Sequence, residues 1–265
     1  MRLSNKPFSI RRLAIMIVIA VGLLYLGACV FLYVRQRSML FRPTQGIAPA
    51  EAKSIAVEND GASLKIWTRQ VQSPNAVIYF GGNSEEVGMR FNDLAKSLPD
   101  QNLFLVNYRG YGGSSGAPSE AAFFSDSLAV YDYVKKTVPN VTVIGRSLGS
   151  GVAVYVASQR PVDKLVLITP YDSIENVAKS HYPIFPISLL LTDKFDSASR
   201  IKDISAKTLI LLAANDNVIP PDRSQALVDR FQPGQATVTV IAGSDHGSIG
   251  QASECYGQMS KFLTP

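Results

Sequence analysis

The segment Val141-Thr142-Val143-Ile144-Gly145-Arg146-Ser147-Leu148-Gly149-Ser150-Gly151 decides how this chain folds. Its first half is apolar, as a strand buried on both faces of a parallel sheet should be. Its second half is G-x-S-x-G, followed by small residues that open a helical stretch. In a strand–turn–helix of this kind the serine sits on a sharp, strained turn with its hydroxyl lifted above the sheet. Gly145 and Gly149 leave room for that turn, because side chains there would collide. Ser147 also stands at a helix start, where backbone N–H groups face a developing anion. The plain alternative is a glycine-rich connection with an inert serine; the strand before it, the helix after it and the partners named below argue against that.

Working outward, strand-like and helix-like stretches alternate. Ser54–Val57 and Leu64–Thr68 predict an antiparallel pair around the turn Asn59-Asp60-Gly61. Ala76–Phe80 and Leu103–Val106 are short continuous apolar runs. Glu85–Ser97 and Ala121–Lys136 carry apolar residues at helical spacing. Val141–Gly145, Leu148–Ser158, Leu165–Ile168, Thr208–Ala213, Ser224–Phe231, Val238–Ile241 and Ser248–Leu263 continue the pattern. Repeated strand–helix units imply an α/β fold, a mostly parallel sheet with helices on both faces. Active groups then collect at the carboxyl ends of strands.

A serine hydroxyl needs a base, and the chain has two histidines. His246, in Gly243-Ser244-Asp245-His246-Gly247, follows the last apolar strand. His181, beside Tyr182 and Pro183, does not lie at a strand end. His246 is therefore the candidate base. The base needs a carboxylate to fix its tautomer and stabilise its charged form. Asp216 follows the strand Thr208–Ala214 and is the candidate acid; Asp172, Asp193, Asp196, Asp222 and Asp245 suit exposed, capping or turn roles better. Two backbone N–H groups must face the tetrahedral oxygen. Leu148 supplies one, and Asn83 in Phe80-Gly81-Gly82-Asn83-Ser84-Glu85 supplies the other, with Gly82 next in line. Cys255, in the expected last helix, reads as a structural thiol. Metal-ligand clusters and phosphate loops are not evident in the sequence, so no cofactor is implied.

The chain has 265 residues, 46% apolar and 18% charged, which excludes a disordered or collagen-like protein. Two cysteines exclude a disulfide-rich scaffold. The formal charge of +5 invites a nucleic-acid partner, but its distribution removes that reading. Residues 1–37 hold six basic residues and no acid, leaving 20 basic and 21 acidic residues beyond, a net of −1. The excess brackets Leu13–Val34, 22 residues without a charge, long enough to cross a hydrocarbon core. A cleaved signal peptide is the rival reading, yet the run is long for one and has no clear A-x-A site. Leu26-Gly27-Ala28-Cys29 resembles a lipoprotein processing box, but Val30–Val34 continue apolar where such a sequence turns polar. The expectation is an uncleaved signal anchor at 13–34 behind a basic segment at 1–12. A linker at 35–52, punctuated by Pro43, Gly46 and Pro49, then leads into one domain at 53–265. The positive-inside rule puts the amino terminus in the cytoplasm and the globular part outside, in the periplasm if the source is bacterial.

FGGNSEE, NYRGYGGSSGAPSE, GRSLGSGVA, AANDNVIP and SDHG, in that order, resemble the α/β-hydrolase superfamily, in particular the Bem46-like, ABHD-type serine hydrolases. The resemblance covers roughly residues 40–265. It implies Ser147 as nucleophile, Asp216 as acid, His246 as base, and Asn83 with Leu148 at the oxyanion hole. Gly81 stands where the family often has histidine and Asn107 where it often has aspartate. The long segment between Thr169 and Lys207 (about 170–206) is where such folds place a cap, and its Tyr182, Ile184, Phe185, Ile187, Leu189, Leu190 and Leu191 are apolar. Tether and cap together point to a lipid-like acyl ester or thioester as substrate. A peptidase or amidase on the same fold and a non-catalytic binding protein are the competing readings. Glu85 and Glu86 are the acids that would serve a peptidase at a substrate's free amino terminus.

Overall fold

The computed structural model describes residues 10–264. Arg2 and Lys6, and with them most of the expected basic segment, lie outside the described residues.

The first helix, α1, runs Ile10–Leu40 and is about 47 Å long at 1.5 Å per residue. It is long and apolar enough to cross a membrane. It does not stop at Val34: Arg35–Leu40, expected as the start of a linker, are helical. The cause is tertiary. Arg37 pairs with the buried Asp193 (2.8 Å), and Phe41, just past the helix, is buried against the rings of Phe123 and Phe195. Cys29 lies buried within this unbroken helix.

Among the described residues, eight strands form one sheet: β1 Lys53–Asn59, β2 Ala62–Arg69, β3 Asn75–Phe80, β4 Asn102–Val106, β5 Asn140–Arg146, β6 Lys164–Ile168, β7 Lys207–Asn215 and β8 Ala236–Asp245. Their order is β1-β2-β4-β3-β5-β6-β7-β8, with β1–β2 and β2–β4 antiparallel and every other pair parallel. Along β3, Ile78 and Phe80 enter one apolar cluster while Val77 and Tyr79 enter another. Both faces are buried, which is why the run carries no polar alternation.

Helices cover the two faces. α3 (Glu120–Lys135) and α4 (Leu148–Gln159) pack on the first cluster; α2 (Phe91–Ser97) and α8 (Ser253–Leu263) pack on the second. Between β6 and β7 stand α5 (Ile174–His181), α6 (Ile187–Leu190) and a 3₁₀ stretch, Ala198–Asp203, which together make a short cap. α7 (Pro221–Val228) follows β7, with Pro221 in its first turn. Glu85–Ser97 is not one helix but a loop, a 3₁₀ turn at Val87–Arg90 and then α2. Glu85 causes the break: its carboxylate turns back to accept the Gly82 N–H at 2.6 Å, which holds residues 82–85 as a loop.

Candidate active site

The parallel strands all end at one rim, and register decides which residues meet there. Phe80 of β3 pairs with Gly145 of β5, so the Gly81-Gly82-Asn83 loop begins beside the turn that carries Ser147. Ser147 has φ 50° and ψ −120°, a left-handed conformation that costs a non-glycine residue about 1–3 kcal/mol. The neighbours enforce it. A side chain at Gly145 would overlap the backbone at Gly149 and the Ala153 methyl, and one at Gly149 would overlap the carbonyls of Phe80 and Gly81. The start of α4 is thereby pressed against the end of β3, and a side chain at Gly82 would lie 3.5 Å from Ser147 Cβ.

On the other side, β7 and β8 run parallel with an irregularity between Ala213 and Asn215, after which Asn215 pairs with Asp245. The next residue on each strand is Asp216 and His246. Ser147 Oγ–H donates to His246 Nε2 at 2.8 Å. His246 Nδ1–H donates to Asp216 Oδ2 at 2.9 Å, with Oδ1 at 3.1 Å. Asp216 Oδ1 also accepts from the Val218 and Ile219 N–H groups at 2.9 and 2.8 Å. Burial would raise the Asp216 carboxyl, but the hydrogen bonds from His246, Ile219 and Val218 outweigh it and hold it below the usual carboxylate range. It stays ionised and keeps the imidazole oriented.

The rival acids are occupied elsewhere. Asp172 takes Arg223 at 3.2 Å and Asn176 at 2.7 Å. Asp193 takes Arg37, Asp222 takes Arg223, and Asp196 accepts from the Ser199 N–H. Asp245 closes its own turn on Gly247 and Ser248. His181 ends α5 on the rim of the same pocket, bonded to the Val218 carbonyl at 2.9 Å. Cys255 is buried, and that desolvation pushes its thiol up to about 12, against the pull of Arg146, so it is no nucleophile at neutral pH.

The backbone N–H groups of Asn83 and Leu148 have no protein acceptor among the described residues, and both residues line the pocket with Ser147 and His246. The side chain of Asn83 is held from outside: Oδ1 accepts from Tyr111 Oη (2.9 Å) and the Arg42 N–H (3.0 Å), and Nδ2 donates to the Leu40 carbonyl. The end of α1 is thus tied to the Gly81-Gly82-Asn83 loop.

Sequence reasoning missed a buried brace. Arg146, the variable residue of G-x-S-x-G, donates to the His246 carbonyl at 2.8 Å and pairs with Glu85 at 2.9 Å. Glu85 also accepts from Tyr79 Oη and the Gly82 N–H, with Arg90 at 3.5 Å. One guanidinium therefore ties the histidine loop, the serine turn and, through Glu85, the Gly81-Gly82-Asn83 loop together. Arg146 and Glu85 are 12% and 6% exposed, and their charges are paired with each other at the wall of the Ser147 pocket. Glu86 in turn accepts from the Gly46 N–H at 2.8 Å. Of the two acids that a peptidase would use for an ammonium, Glu85 is paired with Arg146, and Glu86 is held through one of its two oxygens. The pocket over Ser147 has a volume of about 550 Å³, and Met39, Leu40, Ile174, Val177 and Tyr182 form its apolar side.

Residues 75–192 match the family model described as the alpha/beta hydrolase fold. An uncharacterized protein of Mycobacterium tuberculosis is 33% identical over 269 residues, covering 95% of each chain. Protein bem46 of Schizosaccharomyces pombe is 27% identical, covering 83% of this chain and 81% of its own. The chain belongs to the Bem46-like, ABHD-type α/β hydrolases. Lysophosphatidylserine lipase ABHD12 of Xenopus tropicalis is 34% identical over 198 residues, 64% of this chain but only 50% of that one. Among solved structures, a Pyrococcus furiosus esterase superposes with a TM-score of 0.67 at 16% identity, over 84% of this chain and 98% of its own, a likeness of fold. The chain is thus a hydrolase, and by length and composition its apolar N-terminal helix is consistent with membrane anchoring.

Proposed function

We propose that this hydrolase is a membrane-anchored serine hydrolase that cleaves the ester or thioester bond of lipophilic acyl substrates. The observation that carries the reading is the unbroken hydrogen-bond relay Ser147–His246–Asp216, its serine on a strained turn that opens into a half-apolar pocket. Ser147 Oγ attacks the acyl carbon while its proton passes to His246 Nε2. Asp216 stabilises the imidazolium that results. The oxygen that becomes an anion accepts from the Asn83 and Leu148 N–H groups, a pair worth about 3–4 kcal/mol of transition-state stabilisation per donor. The imidazolium then protonates the leaving alcohol or thiol, which departs. Water, activated by the same histidine, attacks the acyl-enzyme, and the acid and Ser147 are released.

The test is covalent labelling of the full chain by a fluorophosphonate probe, with label and ester turnover both absent in Ser147→Ala. Equal labelling of Ser147→Ala would end the reading. The lipophilic preference is supported by the apolar pocket wall, and the lipase name of the ABHD12 relative accords with it. Turnover that falls steeply from acetate to octanoate esters would contradict it. For topology, we propose that the helix leaves the amino terminus in the cytoplasm and the catalytic part outside; activity of a C-terminal reporter that works only in the cytoplasm would reverse that.

A further inference from the structure

A second cleft, of about 350 Å³, lies between the C-terminal half of α1 and the cap. Leu32, Met39 and Leu40 line it from the helix, and Ile187, Leu190 and Leu191 from the cap. It is continuous with the pocket over Ser147, because Met39, Leu40, Ile174, Ala178 and Tyr182 border both. Its walls are fastened to each other. Gln36 donates to the Leu190 carbonyl at 3.0 Å and accepts from the Thr192 N–H at 2.7 Å. Tyr25 donates to the Ile184 carbonyl at 2.8 Å and stacks on Phe185.

The last of these bonds fixes where the cap lies. Tyr25 precedes Val34, the end of the uncharged run, by nine residues, about 13 Å along a helix. A helix that spans a bilayer therefore carries the cap tip beside its apolar length, below the level of Arg35. The tip is dressed for that place: Ile184 and Leu189 are 71% and 83% exposed. Exposed apolar groups of this kind mark a membrane or partner contact.

We infer that the anchor helix is itself one wall of the acyl-binding site. The cleft takes the hydrocarbon chain of an ester resident in the bilayer, which enters sideways between α1 and the cap tip and presents its carboxyl end to Ser147. The inference rests on the serine hydrolase reading above. The tether then does more than confine the enzyme to a surface, because Leu32, Met39 and Leu40 set how long a chain fits.

The experiment uses the full chain in phosphatidylcholine nanodiscs and a series of p-nitrophenyl esters from butyrate to hexadecanoate. Ala178→Trp narrows the junction of the two cavities; Leu32→Trp fills the far end. Each methylene kept out of an apolar site changes the rate constant roughly fourfold. For Ala178→Trp the ratio of hexadecanoate to butyrate turnover falls by more than roughly tenfold. For Leu32→Trp the preferred chain shortens to an intermediate length. Fluorophosphonate labelling of each variant reports that its site is assembled. Active variants that both keep the parent profile overturn the groove assignment alone. A parent with no Ser147-dependent turnover overturns the hydrolase reading, and the groove assignment with it.

Discussion

Replacing Arg146 with Met tests whether the buried brace holds the site together. The side chain is 12% exposed and pairs at 2.9 Å with Glu85, itself 6% exposed. Removing one partner of a buried pair costs about 3–5 kcal/mol, because the other is left without compensation. Here Glu85 keeps Arg90 at 3.5 Å, Tyr79 Oη and the Gly82 N–H, so Arg146→Met falls at the low end, about 3 kcal/mol. Glu85→Gln is worse, nearer 5 kcal/mol, because it leaves two guanidiniums facing a neutral amide. The double variant costs less than the two singles together, by at least about 1 kcal/mol. Urea unfolding in micelles, followed by the fluorescence of the single tryptophan, buried Trp67, measures each step; the Arg146→Met midpoint drops by about 6–12 °C on heating. Because the same guanidinium holds the His246 carbonyl, ester turnover by Arg146→Met falls by roughly 10²-fold even where the chain is folded. Singles that each cost under about 1 kcal/mol, or costs that add within about 0.5 kcal/mol, refute the brace.

Asp216→Asn keeps the turn but loses the carboxylate that orients His246, so kcat falls about 10⁴-fold while the melting temperature barely moves; a loss under tenfold would reassign the acid. The Glu175 carboxyl is held down at about 2 by Lys179 of its own helix and by Lys194 and Ser188, the last two of which join α5 to the rest of the cap. A depressed carboxylate stabilises above its unfolded value, near 4.3, and that contribution is lost as pH falls toward 2. Protease cleavage of the cap therefore stays constant from pH 7 to about 5 and rises only in stronger acid; Glu175→Gln removes that rise, and cleavage climbing already between pH 7 and 5 would contradict it. In a Cys29→Ala background, Cys255 resists iodoacetamide in the folded chain and reacts once urea unfolds it. Rapid alkylation of the native chain would show that the thiol is not sealed.

Local chemistry explains which parts of this molecule its residues announced. The buried strands are apolar runs, because both faces of the sheet are covered, and the elbow needs small residues at Gly145 and Gly149 whatever the rest of the chain does. Ser147, Asp216 and His246 could be chosen from their places after strand ends, and the structure brings those three within hydrogen-bond distance. What the reading lacked was long-range polar pairing. Arg146 and Glu85 lie 61 residues apart in the chain, and no period relates them. Gln36 and Arg37 read as linker because the hydrophobic spacing past Val34 is irregular; their partners Leu190, Thr192 and Asp193 stand in the cap, more than 150 residues away. The sequence points to the backbone of Asn83, while its side chain joins the loop to the end of α1.

The register of the last two strands has a consequence for how this protein fails. β8 lies at the margin of the sheet and, among the described residues, bonds to β7 alone. Its end carries His246, whereas Ser147 rides on the central β5. Strands at a margin open at lower free energy than those at the centre. Warming therefore disconnects the proton acceptor from an otherwise intact hydroxyl first. The enzyme goes silent several degrees before it melts, and it recovers on cooling as long as the centre of the sheet has held.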